Sequence, residues 1–290
     1  MACSKGTDPA EGSDVTDGRV RRARIDDIDK PLHRIFPVWR LEELVRLKRL
    51  TLVQPSLWVD PREDPCATFR LTPQPGSACT KRNQRALADY LSACWAQCWS
   101  YEADSDVLLR AYSRVVLDPI AQRNSTPAEE GVRVTTTARR LIAVMESWAR
   151  LHPDYHFYIA GVTYEPEERF GQLLANRLSQ PAGPLYFSTP DGRAESLCTK
   201  RAQFRHESEV RILCLTPDKL GTGEKVRHFP IDPNALFTEV AFDPRLITFE
   251  RRERENRLRS EGFTGNIRED HSYLGTFTLI PMPTDWPDPE

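Results

Sequence analysis

Between Glu207 and Cys214 the chain reads Glu-Ser-Glu-Val-Arg-Ile-Leu-Cys, an alternation that suits an extended strand and little else. Successive side chains of a strand point to opposite faces. Val210, Ile212 and Cys214 then pack on one side, while Glu209 and Arg211 share the other, joined by Glu207 if the extension begins that early. Lys200, Arg201, Arg205 and His206 crowd in just before this strand. A carboxylate set among cations at a strand edge stays ionised at neutral pH, ready to hold a hydroxyl or a developing positive charge. A surface strand with a structural Glu–Arg pair produces the same pattern, so the motif acquires meaning only from its company.

That company is an interleaving of strands and helices. Leu32–Phe36 reads as a strand, Leu41, Leu44 and Val45 repeat at helical spacing, and Leu50–Val53 reads as a second strand. The loop Pro55–Pro65 follows, with Trp58 as an aromatic anchor and prolines that bias Asp60 and Asp64 towards extended geometry. From Gln84 to Ala93 a helix is expected, with Leu87, Tyr90, Leu91 and Cys94 on one face, running into a strand at Cys94–Tyr101. Ser105 caps a helix that ends at Tyr112. Gly131–Thr137 is a strand, and Thr136 or Thr137 starts a helix that buries Leu141, Ile142, Met145, Trp148 and Ala149. Tyr155–Tyr164 is expected as one strand, Phe170–Leu178 as a helix and Leu236–Phe242 as a strand. Asp243-Pro244 begins a charged helix that Gly262 ends.

There is no repeat and no linker after residue 30. The expectation is a single α+β domain over 31–280, with a central mixed, split sheet flanked by helices, after a polar and basic disordered arm at 1–30. Residues 281–290 are expected as an extended tail. The 40 basic and 42 acidic residues nearly cancel, so no general attraction to nucleic acid or anionic membrane is built in. No apolar run approaches the ~20 residues needed to cross a bilayer. Seven cysteines, odd in number and without paired Cys-x-x-Cys spacing, suit free thiols in a reducing cytoplasm.

Several landmarks, in order, resemble the family called domain of unknown function 2971. They are Leu32–Phe36, Trp58–Pro61 with Glu63, Cys98-Trp99-Ser100, Glu102, Ser105-Asp106, Leu109–Ser113 and Gly131–Val134. Lys200-Arg201 with Phe204, Glu207, Glu209 and Val210-Arg211 carries the most weight, and Val240–Pro244 and His271–Leu274 close the series. That family names no reaction. More distantly, the opening strand–helix–strand is similar to ADP-ribosyltransferase-like domains. Those place a His or Arg on the first strand, a Ser or aromatic on a middle strand and a Glu on a late one.

The matching catalytic positions are Arg34 (or its neighbour His33), then Ser100, then Glu209, which is favoured over the competing Glu207 because it sits immediately before the apolar strand, where packing fixes position best. The resemblance implies NAD as substrate. Departure of nicotinamide leaves an oxocarbenium-like ribose that a carboxylate stabilises. Arg34 or His33 would hold the adenylate phosphate or ribose, and Ser100 the nicotinamide ribose. Trp99 or Tyr112 would offer a stacking face, and Arg211 joins the cofactor-binding set. The acceptor, protein or nucleic acid, is left open. In a bacterial cell such an enzyme would act as a toxin or in phage defence, which no residue here specifies.

Two rivals stand beside this reading. Asp60, Glu63, Asp64, Glu207 and Glu209 are oxygen ligands of the kind a metal-dependent nuclease or phosphodiesterase uses, with Lys200 near a phosphate, although the late strand reads Glu-x-Glu-x-Arg. A non-enzymatic sensor or interaction module accommodates every observation too. His152 and His156 are separated by Pro153, which argues against a helical metal pair. No Gly-x-Ser-x-Gly elbow and no phosphate-cradling glycine loop is present.

Overall fold

The computed structural model describes residues 19–71, 85–180, 183–220, 223–270 and 272–273. In chain order the elements used below are β1 (Val20–Ala23), β2 (Pro31–Pro37), α1 (Val38–Leu47), β3 (Arg49–Val53), β4 (Ser92–Ser100) and α2 (Asp106–Tyr112). Then come β5 (Gly131–Thr137), α3 (Ala138–Leu151), β6 (His156–Gly161), β7 (Glu209–Lys219), β8 (Val226–Pro230), β9 (Glu239–Phe242) and α4 (Thr248–Ser260). Nine strands form one mixed sheet in the order β1-β6-β7-β4-β2-β5-β9, with β3 joining β4 and carrying β8 outside it. β1 and β6 run parallel, whereas the other pairings are antiparallel. This is the α+β architecture that the sequence implies.

Alternation along β4 explains why it lies at the centre. Trp95 and Trp99 enter one core with Val210, Ile212 and Cys214 of β7, while Cys94 and Ala96 pack on the opposite face with Leu213 and Leu215. Both faces are covered, as the near-continuous apolar reading of these strands requires. On the first face α3 lays down Ala138, Leu141, Met145, Trp148 and Ala149, spaced at one helical stripe. The Thr137 hydroxyl accepts from Arg140 N at its start. The Trp148 indole donates to the Pro230 carbonyl at 2.8 Å and stacks on Phe229, tying α3 to β8. One apolar core draws on residues from Val20 to Phe263.

Several local expectations gave way to pairing. Instead of a helix, Leu87–Tyr90 forms a short 3-10 turn, and Cys94 lies inside β4. Of the four apolar residues at helical spacing only Cys94 joins the ladder with β7, while Leu87 and Leu91 pack in a separate small apolar cluster. The expected Tyr155–Tyr164 strand breaks at Val162, whose N–H turns to the Glu209 carbonyl. Asp243-Pro244 starts no helix. The Asp243 carboxylate instead accepts from Arg245 N and from the Ser113 hydroxyl at 2.5 Å, and α4 begins at Thr248. Glu207 falls in a 3-10 turn before β7, and the strand expected over Leu236–Phe242 starts only at Glu239.

The 1–30 arm needs the largest revision. Val20–Ala23 forms an edge strand on Phe157–Ala160, so the fold starts well before residue 31. Residues 1–18, Gln84, His271, Leu274 and the 281–290 tail lie outside the described residues.

Candidate active site

β2 and β4 meet at one point only, where His33 faces Ser100. Beyond it β2 continues along β5, while β4 takes β3 as its neighbour at Ala96 and Val53. The sheet is therefore split between β2 and β3. A cleft of about 400 Å³ lies over the gap, within the range of small-molecule sites.

The register across the gap sets the chemistry. Glu209 pairs with Ser100, Ser100 with His33, and His33 with Thr135. Residues opposite one another on antiparallel strands project from the same face. His33, Ser100 and Glu209 thus form one row over three adjacent strands, and all three line the cleft. Arg34, one residue on, belongs to the other face, where its register partner Val134 sits in the core. Strand alternation would keep it out of the cleft, yet the split lets it reach the gap from behind. Its guanidinium donates to the Cys98 carbonyl at 3.3 Å and lines the same cleft.

Glu209 is 5% exposed and sits in a built set of charges. Arg211 Nε donates to its Oε1 at 2.9 Å and Nη2 to its Oε2 at 3.0 Å, while Lys200 Nζ lies 3.3 Å from Oε2. Burial alone would push the Glu209 carboxyl up, but Arg211 and Lys200 outweigh it and hold the pKa down at about 2. Lys200 also binds Glu207 at 2.5 Å and Glu63 at 3.3 Å. Arg211 reaches Glu63 as well, and donates to the Leu197 carbonyl at 2.5 Å. Three carboxylates thus share two cations. Burial raises the Glu63 carboxyl despite both cations. Lys200, opposed by burial, is raised by Glu209, Glu63 and Glu207 and stays charged.

Local structure makes this convergence possible. Ser208 adopts a left-handed backbone (φ 42°, ψ 53°) between the 3-10 turn and β7, so Glu207 and Glu209 approach Lys200 from different directions. Thr163–Glu165 pairs in parallel with Thr199–Arg201, setting Tyr164 beside Lys200. The Glu209 N–H then donates to the Tyr164 hydroxyl at 2.8 Å. The Ser100 hydroxyl donates to the Glu207 carbonyl at 2.5 Å and accepts from Glu102 N, so it clamps the turn that ends at Glu207.

The remaining sequence-derived residues occupy distinct places. His33 pairs with the Thr135 hydroxyl at 3.1 Å. Burial first, then the nearby Arg133 charge, lower its pKa to about 4, so it is neutral at physiological pH. Tyr112 lines the cleft from α2, with 53% of its surface exposed. Trp99 lines it at 2% exposure, from the core side. Arg211 is fully buried beneath Trp58, its ring centroid 4.4 Å away, and its donors serve Glu209, Glu63 and Leu197 rather than the cleft.

Of the acidic set considered for metal, Asp60 binds Arg201 at 2.5 Å and Asp64 binds Arg193 through two 2.5 Å contacts, while Glu63 and Glu209 share Lys200. Among the described residues no group of three or more His, Cys, Asp and Glu is arranged to hold a metal ion. No described helix is long and apolar enough to cross a membrane.

No protein-family model matches the chain. No curated protein matches it either. Solved structures do overlap it. Thermus sp. 2.9 DarT in complex with ADP-ribosylated ssDNA is 13% identical at a TM-score of 0.34, covering 86% of this chain and 97% of its own. The same protein with NAD+ gives 13% and 0.34 over 86% and 98%, and with carba-NAD+ 13% and 0.32 over 84% and 97%. Superpositions this loose say nothing about activity.

Two contacts of the site could not be read from the sequence, although Trp58 and Glu63 were themselves singled out there. Tyr164 reaches the Glu209 backbone from a separate two-stranded sheet, and the Trp58–Glu63 loop meets Arg211 about 150 residues along the chain. Neither relation leaves a periodicity or a spacing to read.

Proposed function

We propose that this chain is an NAD-dependent ADP-ribosyltransferase-like enzyme whose site is the cleft over the split sheet. The observation that carries the reading is the row His33–Ser100–Glu209 across three neighbouring strands, ending on a carboxylate held ionised by Arg211 and Lys200. With His33 taken for the first position rather than Arg34, this is the order by which the sequence resembles ADP-ribosyltransferase-like domains, here met at one register level.

The chemistry follows from the charges. The bond between C1′ of the nicotinamide ribose and the ring nitrogen breaks, nicotinamide leaves with the electron pair, and positive charge develops at C1′. A fixed anion beside that carbon stabilises the transition state without reorganising at the moment of reaction. Glu209 supplies the anion. Neutral His33 and the Arg34 cation, on either side of the split, hold the dinucleotide, and Tyr112 offers an aromatic face at the mouth. An acceptor nucleophile then bonds to C1′ and gives up its proton. Glu207, half-buried at the cleft wall and tied to Lys200, is the second carboxylate near that point.

The test is nicotinamide release from NAD by purified protein. Glu209→Gln keeps the shape of the side chain and removes its charge, so turnover should drop at least about a hundredfold, the scale of losing one electrostatic stabiliser. The melting transition should persist. Glu207→Gln should be milder. A wild-type rate in Glu209→Gln would remove the assignment.

A further inference from the structure

Glu209 is the first residue of β7, and its backbone is held partly from outside the main sheet. On one flank it pairs with Ser100 of β4. On the other, the ladder with β6 ends at Val210 and Gly161, one residue short of it. The chain beyond β6 supplies what the ladder lacks. Val162 N donates to the Glu209 carbonyl at 2.9 Å, and the Glu209 N–H donates to the Tyr164 hydroxyl at 2.8 Å. Thr163 N is itself tied to the Cys198 carbonyl at 2.9 Å, and Thr163–Glu165 pairs with Thr199–Arg201 so that Tyr164 lies opposite Lys200. One short ribbon therefore sets both the hydroxyl beside the Glu209 backbone and the ammonium 3.3 Å from its carboxylate.

The residue before Glu209 needs such a hold. Ser208 has a positive φ of 42°, a region that side chains other than glycine seldom occupy and that persists only where the surroundings over-determine it. Tyr101 N grips the Ser208 carbonyl at 3.1 Å, and the Ser208 hydroxyl donates to Glu102 at 2.6 Å. Tyr164 completes the hold at the next residue. Burial pushes its hydroxyl up to about 12, so it stays neutral while it accepts from the amide. Tyr164 is not among the residues that line the cleft, whereas Glu209 is. It serves the carboxylate without meeting what the cleft binds.

Resting on the transferase reading above, we propose that Tyr164 is a positioning residue: its hydroxyl fixes the backbone from which Glu209 projects and so keeps the carboxylate aimed at C1′. A fixed charge stabilises a transition state only when it is held within about 0.5 Å of its productive place. Arg211, Lys200 and the Cys98 thiol face that carboxylate from β7, the ribbon and β4, with Glu63 on the loop beside them. Without the Tyr164 hydroxyl the turn at Ser208 relaxes, and Glu209 slips against these fixed groups. The dinucleotide is held by other residues, so the loss falls on the chemical step rather than on binding.

The experiment is steady-state nicotinamide release from NAD by the full chain, for wild type, Tyr164→Phe and Tyr158→Phe. Each substitution removes one hydroxyl and keeps the ring; the Tyr158 hydroxyl serves Asp191 at 2.8 Å, and Tyr158 does not line the cleft. In Tyr164→Phe kcat should fall about ten- to hundredfold, the scale of a misplaced catalytic group, with KM within about twofold of wild type. Tyr158→Phe should keep both constants. The Glu209 carboxyl is followed in the same proteins by carbon NMR, its resonance identified by its absence from Glu209→Gln. Between about pH 3 and 6 it should stay flat in wild type and titrate in Tyr164→Phe. The assignment is overturned by an unchanged kcat in Tyr164→Phe, by a rise in KM that accounts for the loss, by the same loss in Tyr158→Phe, or by a carboxyl that titrates alike in wild type and Tyr164→Phe. If wild type releases no nicotinamide, the transferase reading falls, and the titration alone decides whether Tyr164 holds Glu209.

Discussion

Replacing Arg211 with methionine probes the site through its stability. The side chain has no exposed surface and makes four polar contacts, two of them to Glu209 and one to Glu63. Methionine fills comparable space without charge. Lys200 would then be left alone among Glu63, Glu207 and Glu209, all within 3.3 Å of its ammonium. Removing one partner of a buried pair costs about 3–5 kcal/mol, which for a chain of this size is roughly 10 °C in Tm.

The cost should depend on pH with a definite sign. In the wild type the Glu209 carboxyl sits at about 2, below its ordinary 4.5, so its contribution is fully present above 4.5 and is lost as pH falls towards 2. Without Arg211, burial acts against Lys200 alone and the carboxyl rises, so protonation relieves the variant as pH falls. The gap between wild type and Arg211→Met, read from thermal or urea melts, should be largest near neutral pH and shrink towards about pH 4. Adding Glu209→Gln should recover part of the loss, because the stranded charge is gone. A loss under about 1 kcal/mol, a gap independent of pH, or strict additivity of the two substitutions would refute the reasoning.

Two further outcomes test the frame around the site. His33 is held at about 4 against an ordinary 6.5, so it binds its proton less readily when folded. Stability should be complete above 6.5 and fall as pH drops through 4, by about 3 kcal/mol in total, and His33→Gln should flatten that slope; equal acid slopes in the two proteins would contradict it. Gly131 starts β5 where a Cβ would lie 2.6 Å from the Ser113 Cβ and 3.1 Å from the Tyr112 carbonyl. Gly131→Ala should destabilise by about 1–3 kcal/mol in a denaturant melt and shift α2, which carries Tyr112; an unchanged midpoint would mean the contact relaxes freely.

What could be read from the sequence divides along a physical line. Glu209, Arg211 and the apolar partners of β7 were legible because strand alternation is local. Order along the chain offered Arg34 or its neighbour His33, then Ser100 and Glu209; the register across β2, β4 and β7 puts His33, not Arg34, in one row with the other two. Alternation along β2 puts His33 and Arg34 on opposite faces, which on a closed sheet would keep them out of one site. A gap at that position admits one from each face, and no sequence pattern announces a gap. The Gln84–Ala93 stretch misled because its apolar spacing fits a helix, whereas Leu87–Tyr90 closes into a short 3-10 turn and only Ser92 and Ala93 of the stretch enter β4. Arg211 was grouped with ligand contacts, but its location under Trp58 depends on a loop far away in sequence.

The edge strand β1 has a consequence beyond the site. β6 carries Phe157, Tyr158, Ile159 and Ala160, all buried, and β1 covers its outer hydrogen-bonding edge by pairing at Val20–Ala23. Arg24 closes the end by donating to the Gly161 carbonyl at 2.8 Å. Strip away those residues and β6 would present a bare, apolar row of amides and carbonyls, the template on which strands of separate molecules stack. A segment of Val-Arg-Arg-Ala therefore does the work of a sealing strip: its backbone occupies the outer hydrogen-bonding edge of β6.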